Sequence, residues 1–172
     1  MKYLKDYFEN NFEVTTADGV SVRNGVKFED FVKEILYCEF PKNMNFTVEA
    51  TQTTHDGGKD FVITSDNLEI WAECKNYKKP LSLSNIANTL VFAHIKNINE
   101  VLIFSYSKLN PNALDTISSF FKYDNKIVRI YDDEALENLI LFHYEKLSKK
   151  FLDLPKLEGA QINEIDHINV QI

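Results

Sequence analysis

A run of four apolar residues near the middle of the chain, Val101-Leu102-Ile103-Phe104, restricts the fold strongly. Side chains of a β-strand alternate between two faces, so an unbroken apolar run indicates a strand covered on both faces. Such a strand needs paired neighbours and a layer of helices above and below it. The run therefore predicts a central strand inside a sheet that is packed on both sides.

Periodicity elsewhere supplies the other elements. Apolar residues recur at helical spacing, and shorter segments alternate like strands or are wholly apolar. The predicted order is α-β-β-β-α-β-α-β-α, with strands at about residues 46–51, 60–64, 68–75, 101–104 and 127–131. Three strands with short links and two strands reached through helices predict an α/β fold, a mixed central sheet flanked by helices on both faces.

Composition limits the class of protein. At 172 residues, 44% hydrophobic and 13% aromatic, the chain can fill a sizeable core. It contains no apolar run of the roughly 20 residues that a membrane span needs, and its first residues lack a signal-peptide pattern. Cys38 and Cys74 show no paired spacing, which predicts unpaired, mostly buried thiols in a reducing cytoplasm and no zinc or disulfide framework.

Three segments are predicted along the chain. Residues 1–24 are interpreted as an N-terminal helical extension, with a turn at Ala17-Asp18-Gly19, and residues 25–150 as the main domain. Residues 151–172, with Pro155 and Gly159 and no helical periodicity, are interpreted as a linker or the start of a following module. We expect them to make few contacts with the main domain.

The chemically informative stretch is Asp56-Gly57-Gly58-Lys59-Asp60, followed by Ala72-Glu73-Cys74-Lys75. Strand alternation puts Glu73 and Lys75 on one side of their strand. If the strand that begins near Asp60 pairs with it, two carboxylates and an ammonium converge at the end of a hairpin. The glycines would let the backbone turn sharply and approach a substrate strand, so Gly58 is a predicted substrate contact.

Such a trio suits phosphodiester hydrolysis. Carboxylate oxygens are the ligands that Mg²⁺ prefers, a bound metal polarises a phosphoryl oxygen and acidifies water, and a lysine offsets developing charge. The ordinary alternative is a solvated face with a weak ion pair, because Glu-x-Lys on a strand is common. Apolar neighbours at Ile70-Trp71-Ala72 argue against it, since they place the charges inside the sheet.

These motifs resemble those of the Mrr-type restriction endonucleases of the PD-(D/E)xK nuclease superfamily. The resemblance covers roughly residues 25–142 and includes the helix Phe28-Glu29-Asp30-Phe31-Val32, the glycine turn, the Glu73-Cys74-Lys75 strand and the segment Ile127–Asp132. It implies a restriction-endonuclease-like fold and a DNA endonuclease that uses Mg²⁺, with Mn²⁺ as a substitute.

Residue by residue, Asp60 and Glu73 match the family's metal-binding acids, and Lys75 its catalytic lysine. Glu29 matches an acid on the first helix that supports the metal site. Many members carry Gln where this chain has Glu73, and a glutamine often present on the following helix is absent here. Asn85 or Asn88 is the candidate substitute.

The implied function is the effector part of a restriction or anti-phage defence protein that self-associates or carries a following sensor module. The alternative is an inactive nuclease-like module for DNA binding or assembly, but the complete trio argues against a decayed site. The net charge of −7, of which −4 belongs to residues 1–150, weighs against strong DNA binding. Lys78 and Lys79 are the predicted backbone contacts, and we expect weak affinity in isolation.

Overall fold

The architecture is a six-stranded mixed sheet with helices on both faces. The computed structural model describes residues 2–15, 21–51, 57–121, 126–156 and 168–171. The sheet order is β3-β4-β5-β6-β7-β8, with β5, β6 and β7 parallel and the outer pairings antiparallel. Its strands are β3 (Thr47–Ala50), β4 (Phe61–Ser65), β5 (Leu68–Lys75), β6 (Glu100–Ser105), β7 (Ile127–Asp132) and β8 (Ile168–Gln171).

Two further strands, β1 (Glu13–Thr15) and β2 (Ser21–Arg23), form a separate antiparallel pair. The helices are α1 (Lys5–Asn11), α2 (Gly25–Glu39), α3 (Leu83–Ile95), α4 (Pro111–Phe121), α5 (Asp133–Phe142) and α6 (Tyr144–Lys150). The predicted α/β class and the β4–β5 hairpin are confirmed. In the described part of the chain, no helix is long and apolar enough to cross a membrane.

The sheet separates two apolar cores. One face of β5 contributes Ile70, Ala72 and Cys74 to a core shared with α1, α2, α5 and α6. The other face contributes Trp71 to a core shared with α3 and α4. The predicted central strand β6 is buried from Val101 to Ser105, because its side chains enter both cores.

Both cysteines are free thiols, as predicted. Cys74 is buried in the first core, whereas Cys38 near the end of α2 is only partly buried. The prediction of burial was therefore right for Cys74 and too strong for Cys38.

Two features of the fold differ from the prediction. The sequence pattern predicts one last helix that runs to about Lys150, but the helix breaks at His143, whose ring nitrogen contacts Glu39 on α2. The β1–β2 pair was not predicted, and the expected Ala17-Asp18-Gly19 turn lies outside the described residues. Such short strands carry too little periodicity to stand out in a sequence.

The expectation that residues 151–172 make few contacts was also wrong. Phe151 packs on Phe31 with ring centroids 4.6 Å apart, and Leu154 is 5% exposed in the first core. Strand β8 pairs with β7. The division of the chain at residues 24 and 150 into independent units stays a prediction.

A buried carboxylate fixes the start of the chain. Glu137 on α5 is 3% exposed and accepts hydrogen bonds of 2.7 Å from the backbone N–H groups of Lys2, Tyr3 and Leu4. Leu4 and Phe8 are fully buried in the first core, and burying each such side chain contributes about 1.5–3 kcal/mol. Helix α1 is therefore packed into the domain through both polar and apolar contacts.

We expect Glu137→Gln to lower the stability of the domain, because an amide nitrogen cannot accept the N–H groups that both carboxylate oxygens accept. Hydrogen bonds to charged groups contribute about 1.5–3 kcal/mol each, so the melting temperature measured by circular dichroism should fall by several degrees. Glu134→Gln, on the exposed side of the same helix, is the matched control and should cost less than about 1 kcal/mol. Equal effects of the two variants would contradict the anchoring role.

Candidate active site

The β4–β5 hairpin brings the predicted trio together. Phe61 pairs with Ala72 in antiparallel register, so Asp60, the residue before Phe61, lies across from Glu73. Its backbone N–H donates to the Ala72 carbonyl at 2.8 Å. Lys75 is the last residue of β5. The three side chains therefore meet at the carboxyl end of this strand.

Asp60 is held from both neighbouring strands. Its Oδ2 accepts the N–H of Cys74 at 2.6 Å, and its carbonyl accepts the N–H of Thr51 at 2.9 Å. The Thr51 hydroxyl donates to the Lys59 carbonyl at 2.6 Å. These bonds fix the backbone at Asp60 and aim its carboxylate along β5.

Glu73 and Lys75 form an ion pair between Glu73 Oε1 and Lys75 Nζ, with side chains 3% and 19% exposed. Burial raises the pKa of Glu73, and the opposing Lys75 ammonium does not cancel that rise. Burial by itself would lower the pKa of Lys75, but Glu73 and Asp60 outweigh it and leave this pKa raised. Lys75 is therefore firmly cationic at neutral pH.

Glu29 on α2 faces the same charges. Burial raises its pKa, and Asp60 raises it further while Lys75 lowers it. The structure thus brings Glu29 within electrostatic reach of the trio, as the resemblance implies. Its role in holding a metal ion stays a prediction.

Thr89 on α3 is a site residue that sequence reasoning missed. It is fully buried, and its hydroxyl lowers the pKa of Glu73, although burial of Glu73 dominates. The Thr89 hydroxyl faces Glu73 but does not reach the geometry of a full hydrogen bond, so Thr89 Oγ1 and Glu73 Oε2 both lack a complete partner among the described residues. A threonine in an apolar helix carries no signal of such a role, because helical periodicity alone does not show which strand residue it faces.

Asn76, directly after Lys75, also escaped prediction. It is buried, and its Nδ2 donates to the carbonyls of Phe12 and Asn24 at 3.1 and 3.2 Å. Asn24 caps the start of α2 by accepting the N–H of Lys27. Asn76 therefore ties the helix that carries Glu29 to the end of β5.

The donor set fits a hard divalent cation. Two carboxylates, with the buried Glu73 Oε2 lacking a partner among described residues, offer the oxygen ligands that Mg²⁺ prefers. An unpaired buried carboxylate oxygen is costly, and a cation would compensate it. In the described ranges, no three His, Cys, Asp or Glu side chains form a ready-made metal cluster.

The other predicted residues are placed as follows. Gly58 adopts a φ of +89° and is exposed beside α3. Lys78 and Lys79 are exposed, and Lys78 Nζ contacts Glu13 at 2.9 Å. Their DNA-binding roles stay predictions, and Asp56 lies outside the described residues.

Of the two candidate substitutes for the absent glutamine, Asn85 serves a different purpose. Its Oδ1 accepts the backbone N–H of Ser82 at 2.8 Å, which caps the start of α3. Asn88 is exposed, and its Cβ would lie 3.6 Å from a Cβ added at Gly58. On α3, Thr89 is instead the residue whose hydroxyl acts on Glu73.

A mixed sheet with a glycine turn, an aspartate and a Glu-x-Lys strand at its centre defines a restriction-endonuclease-like domain of the PD-(D/E)xK class. A family model described as restriction endonuclease, the Mrr catalytic domain, matches residues 22–140. That is more than half of the chain, so the chain belongs to this family of DNA-cleaving hydrolases.

Among solved structures, the chain is similar to Hjc, a Holliday junction resolvase from Archaeoglobus fulgidus, an archaeal hyperthermophile. The identity is 18%, the TM-score is 0.34, and the match covers 51% of this chain and 70% of Hjc. At that TM-score, no conclusion about this chain rests on the likeness. No curated protein matches the chain.

Gly58→Ala should destabilise the antiparallel β3–β4 hairpin, because Gly58 lies in the connection between these two strands. A Cβ at this position would lie 2.7 Å from Thr89 Oγ1, and the φ of +89° is unfavourable for any side chain. We expect a loss of about 1–3 kcal/mol in urea unfolding. Gly25→Ala is the control, because it is helical and its added Cβ meets its nearest atom at 3.8 Å. The hairpin geometry would be contradicted if both variants were as stable as the original chain.

Glu73→Gln should stabilise the fold at pH 7. The raised pKa means that folded Glu73 holds a proton more tightly than unfolded Glu73. The stability gained from that proton is fully present below the unfolded pKa and is lost as pH rises through the folded value. An amide cannot ionise, so the melting temperature at pH 7 should rise by a few degrees. A fall would show that pairing with Lys75 outweighs the burial cost.

Proposed function

We propose that this chain is a Mg²⁺-dependent DNA endonuclease whose catalytic residues are Asp60, Glu73 and Lys75. The observation that supports this most directly is the ion pair between the buried Glu73 and the partly buried Lys75, beside Asp60 at the end of β5. A surface ion pair would carry no such meaning, because exposed pairs contribute little and are common. Charges retained inside a sheet at a substantial desolvation cost indicate a chemical role.

Asp60 and Glu73, with Glu29 in support, are the residues that would hold the metal. The ion would polarise the phosphoryl oxygen and lower the pKa of a bound water. Asp60 contributes a carboxylate whose direction is fixed by Cys74 N–H. Glu73 contributes Oε2, which is buried and makes no hydrogen bond in the described part of the chain.

Lys75 supplies a permanent positive charge beside these carboxylates. Its raised pKa keeps the ammonium protonated at neutral pH, so it is not a general base in the resting site. It can donate hydrogen bonds to a phosphate oxygen and offset the charge that develops there. Its 19% exposure allows contact with a substrate from the solvent side.

The decisive experiment is incubation of supercoiled plasmid with the protein and Mg²⁺ or Mn²⁺. Nicked and linear products should appear, and EDTA should prevent them. Lys75→Ala and Asp60→Ala should each abolish cleavage, while Lys149→Ala, an exposed lysine on α6, should leave it unchanged. An inactive DNA-binding or assembly module would instead bind plasmid without cutting it. Cleavage that survives Asp60→Ala would exclude the metal role assigned here.

The biological setting that we propose is a restriction or anti-phage defence protein in which clustering activates the domain. Net charge is −7 for the whole chain, so each copy has limited attraction for DNA. Several sites along one duplex would raise the effective concentration. We expect a version fused to a ligand-controlled dimerisation domain to cut plasmid faster with the dimerising ligand than without it, at equal site concentration. Equal rates would contradict activation by clustering.

A further inference from the structure

An open cleft of about 390 Å³ lies at the same edge of the sheet as the end of β5, where the candidate active site is. Its lining consists of Lys5, Lys78, Pro80, Tyr106, Ser107, Lys108 and Asp133. The lining carries three lysines, from different parts of the chain, and one carboxylate. Two further carboxylates contact the lining, because Glu13 pairs with Lys78 and Glu9 accepts a hydrogen bond from the Tyr106 hydroxyl. Of these three lysines, the sequence predicted only Lys78 as a DNA contact, together with Lys79, which does not line the cleft.

Sheet topology explains where the cleft lies. Strands β5, β6 and β7 are parallel, so their carboxyl ends share one edge of the sheet. Lys78 follows β5, Tyr106 to Lys108 follow β6 directly, and Asp133 follows β7. Lys75 ends β5 at the same edge, and its carbonyl accepts the N–H of Tyr106 at 3.3 Å. The cleft therefore continues the edge at which the catalytic trio lies.

The walls are fixed, while the lysine heads stay accessible. The Ser107 hydroxyl donates to the Lys79 carbonyl at 2.8 Å, which joins the two loops. The Lys78 and Lys108 side chains are 55% and 69% exposed, and their pairs with Glu13 and Asp133 measure 2.9 and 3.9 Å. Exposed pairs of this kind contribute little. A phosphate can therefore compete for both ammonium groups.

Lys5 is the first residue of α1 and lies outside the matched family domain, residues 22–140. The Glu137 carboxylate and the buried side chains of Leu4 and Phe8 hold this helix in place. Because this helix is anchored, the backbone of the exposed Lys5 has a defined position and its ammonium stays within reach of the cleft. The N-terminal helix thus completes the cleft from outside the family domain.

We propose that this three-lysine cleft binds backbone phosphates of the DNA strand next to the scissile bond, with Lys5 and Lys108 adding contacts to Lys78. The proposal rests on the proposed nuclease function for the identity of the polyanion. Contacts of this kind position the duplex without reading its sequence. The N-terminal helix is then part of the substrate-binding surface.

The test measures DNA binding by fluorescence anisotropy with a labelled 20-base-pair duplex, at several salt concentrations. All proteins carry Lys75→Ala, so that the duplex is not cut. One protein adds Lys5→Ala and Lys108→Ala together. The control adds Lys149→Ala, which also removes an exposed lysine, paired with Glu145 at 3.2 Å, but one that does not line the cleft. Thermal melts establish that each protein is folded.

Each lysine–phosphate contact contributes about 0.9 to the slope of log K against log salt. The protein with Lys5→Ala and Lys108→Ala should therefore show a salt dependence that is less steep by about 1.8, and about tenfold weaker binding at low salt. Lys149→Ala should change both quantities little. A slope equal to that of the control would overturn the cleft proposal, as would undetectable binding by the Lys75→Ala protein at low salt.

The plasmid assay separates this result from the nuclease proposal. Cleavage by the original chain together with an unchanged salt slope means that the cleft proposal fails and the nuclease proposal stands. A less steep salt dependence without any cleavage by the original chain means that the cleft binds DNA phosphates and that the nuclease proposal fails.

Discussion

The candidate site depends on the ion pair between Glu73 and Lys75 at the end of β5. Several other parts of the domain hold this ion pair and its neighbours in place. Desolvating two charges costs several kcal/mol for each ion unless geometry and further hydrogen bonds compensate. Here Lys75 compensates Glu73 on one oxygen, while Glu73 Oε2 has no hydrogen-bond partner among the described residues. The stability of the sheet and its two cores therefore offsets the free-energy cost of burying these charges, and the catalytic role proposed for them would explain why they are retained.

The surroundings of the pair provide that support. Asp60 is held by Cys74 and Thr51 on the two adjacent strands. Asn76 links the end of β5 to the start of α2, which carries Glu29. Gly58 lets the connection between β3 and β4 pass close to α3, where an added side chain would clash with Thr89. Precise placement comes from backbone hydrogen bonds rather than from the charged groups themselves.

The same edge of the sheet explains how a chain with a net charge of −7 can be a DNA nuclease. Parallel strands end together, so lysines that follow different strands gather where Lys75 ends β5. Three lysines therefore line one cleft although the whole chain is acidic, and two of them are held in pairs with Glu13 and Asp133 for which a phosphate would compete. Net charge governs long-range attraction, whereas the arrangement at the edge decides where a phosphate can bind.

Sequence patterns determined the α/β class, the β4–β5 hairpin and the grouping of Asp60, Glu73 and Lys75, because strand alternation and helical periodicity are local properties. They did not determine that residues after Lys150 return to the sheet as β8, or that Glu137 anchors α1 across 133 residues of chain. Sequence patterns also did not show that Thr89 faces Glu73, or that Lys5 and Lys108 line the same cleft. Each of these depends on which distant segments become neighbours, and periodicity shows only which face of an element is buried, not what it packs against.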